Sequence, residues 1–315
     1  MCGIAGIQLG EPGPVGSSLV RMCAAMRHRG EDSTGFALYA EEESAGVIAR
    51  LRFPDAAGWG TRLDDVIASV RELGADLLVD PDVDDDETAG DRFVRLEVAW
   101  DGEARPLVRA LEAPGGVEIQ SLGRRLEIVK DLGDADRVDA RHGISSFRGT
   151  HGLGHVRLAT ESTVAVPYGH PFWAEPFYDV AIVHNGQLTN YYRSRRILTQ
   201  EGYRFHTGND SELIAVYLAD KMERGQSFYD ALKDSVYELD GCFAYLLCLP
   251  DAIGSAKDMF AIKSIVVANV DGDVAMATEE QAIRAVYPGE LETIHPDPRS
   301  VFVWETGGRV LQEIV

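Results

Sequence analysis

The sequence predicts a layered α+β fold. Strand patterns follow one another in hairpin fashion, the strong helical patterns are grouped between them, and the regular strand–helix alternation of a parallel sheet is missing. Of 315 residues, 45% are hydrophobic, enough to bury a proper core in one large domain or two smaller ones.

The elements support this in order. Residues 2–9, CGIAGIQL, read as a short apolar strand. A helix from about Val15 to Arg27 follows, with Leu19, Met22, Cys23 and Met26 at helical spacing. A polar turn, His28 to Ser33, leads into the strand TGFALYA and a further strand near Val47 to Arg52. From 54 to 147 the chain is rich in Asp, Arg, Pro and Gly. It still carries the alternating strand FVRLEVAW at 93–100 and helices near 64–73 and 105–111, which predicts an inserted α+β subdomain between 1–53 and 148–315. The run DPDVDDDE, Asp80 to Glu87, lacks the glycine and closing glutamate of an EF-hand and reads as a solvated loop. Strands resume with GLGHVRLAT and VAIVHNG. Helices follow at about Asn190–Glu201, Asp210–Arg224 and Ser227–Leu239, the second with Leu213, Ile214, Tyr217 and Leu218 as its apolar stripe. Cys242 to Leu249 reads as a buried strand, and short strands around a helix near Glu279–Ala285 complete the chain.

Composition narrows the function classes. A formal charge of -21 repels nucleic acid and anionic lipid. No stretch approaches the ~18 to 20 apolar residues of a membrane span, and the N-terminus lacks the basic region of a signal peptide, so the expected location is the cytoplasm. The cysteines, Cys2, Cys23, Cys242 and Cys248, form no CxxC pair or iron–sulfur spacing, which fits free thiols in a reducing compartment. Cys242 and Cys248 share a strand and read as core residues. His151 and His155 are four apart, but in a strand pattern, where that spacing does not pair side chains for a metal as it would on a helix.

Cys2 carries the chemistry. It follows the initiator methionine, which is removed before small residues, so the expected mature chain begins with a cysteine bearing both a thiol and a free α-amine. An α-amine has a pKa of about 7.7 to 8.0 against about 10.4 for lysine, a saving of roughly 3.4 kcal/mol on deprotonation near neutral pH. One residue then supplies nucleophile and matched base. Cleaving an amide this way also needs oxyanion donors, and an amino-acid substrate needs a cation for its carboxylate and an anion for its ammonium. Asn185-Gly186, at the end of the AIV strand, offers two donors or else a plain Asn-Gly turn. Arg157, in an apolar strand, faces an anion or solvent. Asp210 opens an amphipathic helix as a cap, an ammonium partner or both.

Together, MCGIAGI at the start, RHRGEDSTG at 27–35, GHVRLAT at 154–160, HNGQLTN at 184–190 and NDSE at 209–212 resemble the class II, or N-terminal nucleophile, glutamine amidotransferases, in that family's order. The resemblance covers about residues 1–50 and 150–290. It implies a four-layer αββα N-terminal nucleophile hydrolase sandwich of antiparallel sheets. It also implies that Cys2 attacks the glutamine side-chain amide to form a thioester that water converts to glutamate. Asn185 and Gly186 would hold the oxyanion, Arg157 the α-carboxylate and Asp210 the α-ammonium. Thr160 would line the pocket, and Arg29 and Gly30 would pack behind the nucleophile.

Glucosamine-phosphate synthases carry Trp and His where this chain has Leu158 and Glu161. The stretch HPFWAEPFYDVAIVHNGQLTN is more similar to glutamate synthases, and among them to stand-alone amidotransferase subunits of complexes such as N-methylglutamate synthase. No phosphate loop, dinucleotide fingerprint or iron–sulfur cysteine set is present, so no cofactor is expected. Without an acceptor domain, the ammonia is expected to pass to a separate synthase chain docked over the site, with the insert as a candidate contact. The alternatives are an amidophosphoribosyltransferase-like enzyme, weakened by the missing phosphoribosyl-pyrophosphate domain, and a non-catalytic subunit retaining the fold.

Overall fold

The computed structural model describes residues 2–55, 57–84, 90–159, 163–306 and 310–314, the last four residues as backbone only. β1 (Gly3–Gly13) leads into α1 (Val15–Ala25), and β2 (Ser33–Tyr39) follows. The next segment holds β3 (Val47–Phe53), α2 (Trp59–Glu72), two-residue strands β4 (Asp76–Leu77) and β5 (Asp82–Val83), β6 (Arg92–Ala99), α3 (Ala104–Glu112) and β7 (Glu118–Gly123). Then come β8 (Leu126–Leu132), α4 (Ala135–His142), β9 (Gly149–Arg157), β10 (Phe172–Trp173) and β11 (Ala181–Leu188). Three helices follow together, α5 (Tyr191–Gln200), α6 (Asp210–Glu223) and α7 (Phe228–Glu238). The chain closes with β12 (Gly241–Leu249), β13 (Ala252–Lys257), β14 (Val266–Val270), β15 (Asp273–Ala277), α8 (Glu280–Val286), β16 (Thr293–Ile294), β17 (Ser300–Glu305) and β18 (Val310–Ile314).

These strands form two large antiparallel sheets and a smaller third. The first runs β16-β14-β15-β1-β9-β2-β8 and the second β10-β11-β12-β13-β17-β18. Period-two alternation sets their faces. In β1, Ile4 points to the core between the two sheets, whereas Ala5 and Ile7 point to the outer face under α1. In β12, Ala244, Leu246 and Cys248 face the inter-sheet core, while Phe243, Tyr245 and Leu247 face the helices. The outer layers are α1, α4 and α8 on the first sheet and α5 to α7 on the second. This is the αββα sandwich. α1 lies close to β9 because Gly154 has no side chain there: a Cβ would sit 2.6 Å from the Cys23 sulfur. Cys248 is fully buried, but Cys242 is only half-buried, at the edge of that core.

The third sheet, β4-β6-β3-β7 with β5 on β6, packs against α2 and α3 through Leu63, Val66, Val70, Leu107, Val108 and Leu111. It is offset from the 54–147 segment of the sequence reading. β3 pairs with β6 and β7, so this unit begins near 47. β8 pairs with β2 in the first sheet, and α4 buries Ala135 and Val138 on that sheet's outer face. Alternation identifies a strand but not its partner. Of the acidic run at 80–87, residues 85–87 lie outside the described residues; the part before them is not a free loop, since Asp82–Val83 forms β5 and Asp84 is paired with Arg141.

Candidate active site

Cys2 stands at the entrance to β1, where Gly3 opposes Val156 of β9. Its Sγ lies 3.7 Å from the carbonyl oxygen of Leu158. Two side chains donate to the carbonyl oxygen of Cys2: Asn185 through Nδ2 at 3.1 Å and Arg29 through Nε at 2.9 Å. One reaches across from the second sheet, the other from the turn after α1. Arg29 is also ion-paired with Glu279.

Asn185 is aimed there by strand alternation. Ala181 and Val183, earlier on β11, point into the core between the sheets, and Asn185 is the next residue on that face. Taken alone, the Asn185-Gly186 pair reads either as two donors or as a turn closing the AIV strand. The strand instead runs on to Leu188, with Asn185 opposite Ala244 and Gly186 opposite Phe243 of β12. The glycine is required by close approach: a Cβ at 186 would lie 2.3 Å from the Cys242 carbonyl oxygen and 2.7 Å from His184 Nε2.

His184 points to the helix side, with Nδ1 2.8 Å from Ser211 Oγ and 3.8 Å from Asp210 Oδ1. Burial pushes its pKa down. Asp210 is the first residue of α6 and accepts the backbone N–H of Leu188 at 2.8 Å, tying the end of β11 to the helix start. The helix cap is Asn209, whose side chain accepts from Ser211 N at 3.0 Å. Asp210 therefore keeps a partly exposed carboxylate that does not serve as the cap.

Arg157 ends β9 and is 3% exposed. Its Nη2 donates to the Thr163 carbonyl at 3.2 Å. Burial lowers its pKa, opposed by the nearby Cys2 and Asp32. The turn after α1 holds this strand end: Asp32 N donates to the Arg157 carbonyl at 3.0 Å and Asp32 Oδ2 accepts Ala159 N at 2.7 Å. Gly30 packs so tightly there that a Cβ would lie 2.3 Å from the Arg157 carbonyl carbon. Cys2, Arg29, Gly30, Arg157 and Asn185 thus form one cluster, and Asp210 joins it through the end of β11. Thr160 lies outside the described residues.

Sequence reasoning passed over three features. Asp32 lies inside the RHRGEDSTG motif and could have been read there. Glu279 has no local signal at all. His155, His170 and His184 form a buried row behind Asn185, with His155 and His170 ring centroids 4.0 Å apart and His170 Nδ1 accepting His184 N at 3.4 Å. Among the described residues, no group of three or more His, Cys, Asp or Glu is placed to hold a metal ion, and no helix is long and apolar enough to cross a membrane.

Comparison with known proteins gives this geometry a family. The model of a glutamine amidotransferase domain matches residues 155–285. A Methanothermobacter thermautotrophicus protein described as a glutamine amidotransferase is 34% identical over 307 residues, covering 96% of this chain and 99% of its own. The chain belongs to the glutamine amidotransferase family. The glutamine amidotransferase-like protein GlxB of Rhizobium meliloti is 33% identical over 312 residues, 97% of this chain and 98% of that one. The sandwich is shared with the glutamine phosphoribosylpyrophosphate amidotransferase of Bacillus subtilis, at a TM-score of 0.64, 16% identity and 99% coverage of this chain. This amidotransferase spans 49% of the length of that solved structure.

Proposed function

We propose that this amidotransferase hydrolyses glutamine to glutamate and ammonia through a thioester on Cys2, and that the ammonia passes to a separate glutamate-synthase-like chain, as in complexes of the N-methylglutamate synthase type. The observation that carries the first part is the convergence on Cys2. Donors from two layers hold its carbonyl, Arg157 lies beside it, and Asp210 stands at the far end of the same strand as Asn185.

With the initiator methionine removed, the α-amine takes the thiol proton and the sulfur attacks the carboxamide carbon. The oxyanion is met by the Asn185 amide and the Gly186 N–H. The ammonia leaves with the proton, and water, activated by the same amine, releases glutamate. Arg157 and Asp210 hold the two charged ends of the amino acid, which distinguishes glutamine from an unanchored amide. Thr160 belongs to this pocket by its place in the motif. Gly30 is the close-packed point that lets the Arg29 turn sit against the Arg157 strand end.

The synthase partner rests on sequence resemblance to subunits of such complexes. The third sheet offers a surface for it. The amidophosphoribosyltransferase reading is less favoured, because the amidophosphoribosyltransferases of Methanocaldococcus jannaschii and Staphylococcus aureus match 55% and 56% of this chain, against 96% and 97% for the two relatives above. Glutamate release from glutamine by wild type and Cys2→Ala tests the reaction. A folded Cys2→Ala protein that keeps wild-type activity would refute the Cys2 thioester, and a folded wild type releasing no glutamate would favour a subunit that merely kept the fold.

A further inference from the structure

The junction between β15 and α8 holds the nucleophile's strand from behind. Thr278 brackets Ile4 on both sides: its Oγ1 accepts Ile4 N at 2.9 Å and its own N–H donates to the Ile4 carbonyl at 2.9 Å. The next residue, Glu279, takes the Arg29 guanidinium through Nη1, and Arg29 in turn donates Nε to the Cys2 carbonyl at 2.9 Å. His28 also reaches Glu279, with Nε2 3.1 Å from Oε2. The Arg29 side chain is 14% exposed and Glu279 25%, so water competes weakly for this pair.

We propose that Glu279 is a positioning residue for the Cys2 nucleophile; this rests on the glutaminase reading above. A guanidinium has donors in a rigid fork, so a carboxylate on one arm fixes where the others point. With Nη1 held by Glu279, Nε faces the Cys2 carbonyl. Asn185 holds the same oxygen from the opposite side at 3.1 Å. The peptide plane after Cys2 is then fixed from two layers. The thiol and the α-amine hang from the same Cα, so this plane sets the direction of both. Removing Glu279 takes the carboxylate from Nη1 and loosens the hold of Nε on that plane. Misplacing a reacting atom by an ångström costs on the order of 100-fold in rate.

The test uses the full chain with Glu279→Gln and Glu279→Ala, measuring kcat and KM for glutamine, Tm, and the rate at which a chloroketone analogue of glutamine alkylates Cys2. Glu279→Gln keeps length and an acceptor oxygen, so it carries the test if alanine lowers Tm. The expected result is a fall in kcat of about 10-fold or more, an equal fall in alkylation rate, and a KM within about twofold of wild type. Arg29→Ala should be no worse when combined with Glu279→Ala, because both remove one unit. Wild-type kcat and alkylation in a folded Glu279→Gln protein would overturn the proposal, as would a loss appearing in KM alone. If Cys2→Ala is inactive while Glu279→Gln is fully active, the glutaminase reading stands and only this proposal falls. If Cys2→Ala stays active, the reading itself fails.

Discussion

Asn185 donates its side-chain amide to the carbonyl oxygen of Cys2 at 3.1 Å, joining residues 183 positions apart in the chain and on facing sheets of the sandwich. This bond puts a polar donor within reach of the thiol. It also uses an amide that is buried, at 3% exposure, and that would be costly to leave unpaired.

Asn185→Ala should lower kcat for glutamine hydrolysis by about 10² to 10³, the usual cost of removing one oxyanion donor. Because the same amide holds Cys2, the alkylation rate of the thiol should fall too. Steady-state kinetics beside a labelling time course checks both.

Arg157→Gln and Asp210→Asn should act on binding instead. On the proposed function each removes a charge-assisted contact to one end of the amino acid, worth roughly 1.5 to 3 kcal/mol, which corresponds to about 10- to 100-fold in KM. Unsubstituted carboxamides lacking the α-groups should lose their disadvantage against glutamine in these variants. A KM series over glutamine and simple amides measures this.

Gly30→Ala should destabilise the fold as well as the site. The new methyl would lie 2.3 Å from the Arg157 carbonyl carbon, and backbone cannot rotate away as a side chain can. A loss of about 1 to 3 kcal/mol or more is expected from such overpacking, visible as a lower urea midpoint with an unchanged slope.

Burial pushes His155 down to about 3 and His151 down to about 4. In the unfolded chain both titrate near about 6.5. Above that pH neither state takes a proton, so stability is flat. As pH falls through it, the unfolded chain binds protons that the folded chain refuses, and stability declines until the folded values are reached. The slope is up to about 1.4 kcal/mol per pH unit for each histidine. Urea midpoints should therefore fall between pH 7 and 5, and fall less steeply in His155→Gln.

Much of this was legible in the sequence, and for local reasons. The α1 stripe, the β9 and β11 strands and the α6 start are written in short-range periodicity. Of the motif residues, Arg29 and Asn185 bond the Cys2 carbonyl and Asp210 is tied to the end of β11, while Thr160 is not among those described. What stayed hidden is non-local. The Asn-Gly pair reads as a turn until β12 supplies a ladder through Gly186. β3 and β8 read as strands, but not as members of different sheets. Glu279 is 250 positions from Arg29, and nothing near it announces the pairing.

The most direct test is the intact mass of the purified, active chain before and after reaction with the glutamine chloroketone. The account predicts a mature chain lacking the initiator methionine and carrying a single adduct, located on Cys2, with activity lost in step with labelling. An active chain that keeps a residue ahead of Cys2, or an inactivating adduct on another residue, would contradict it.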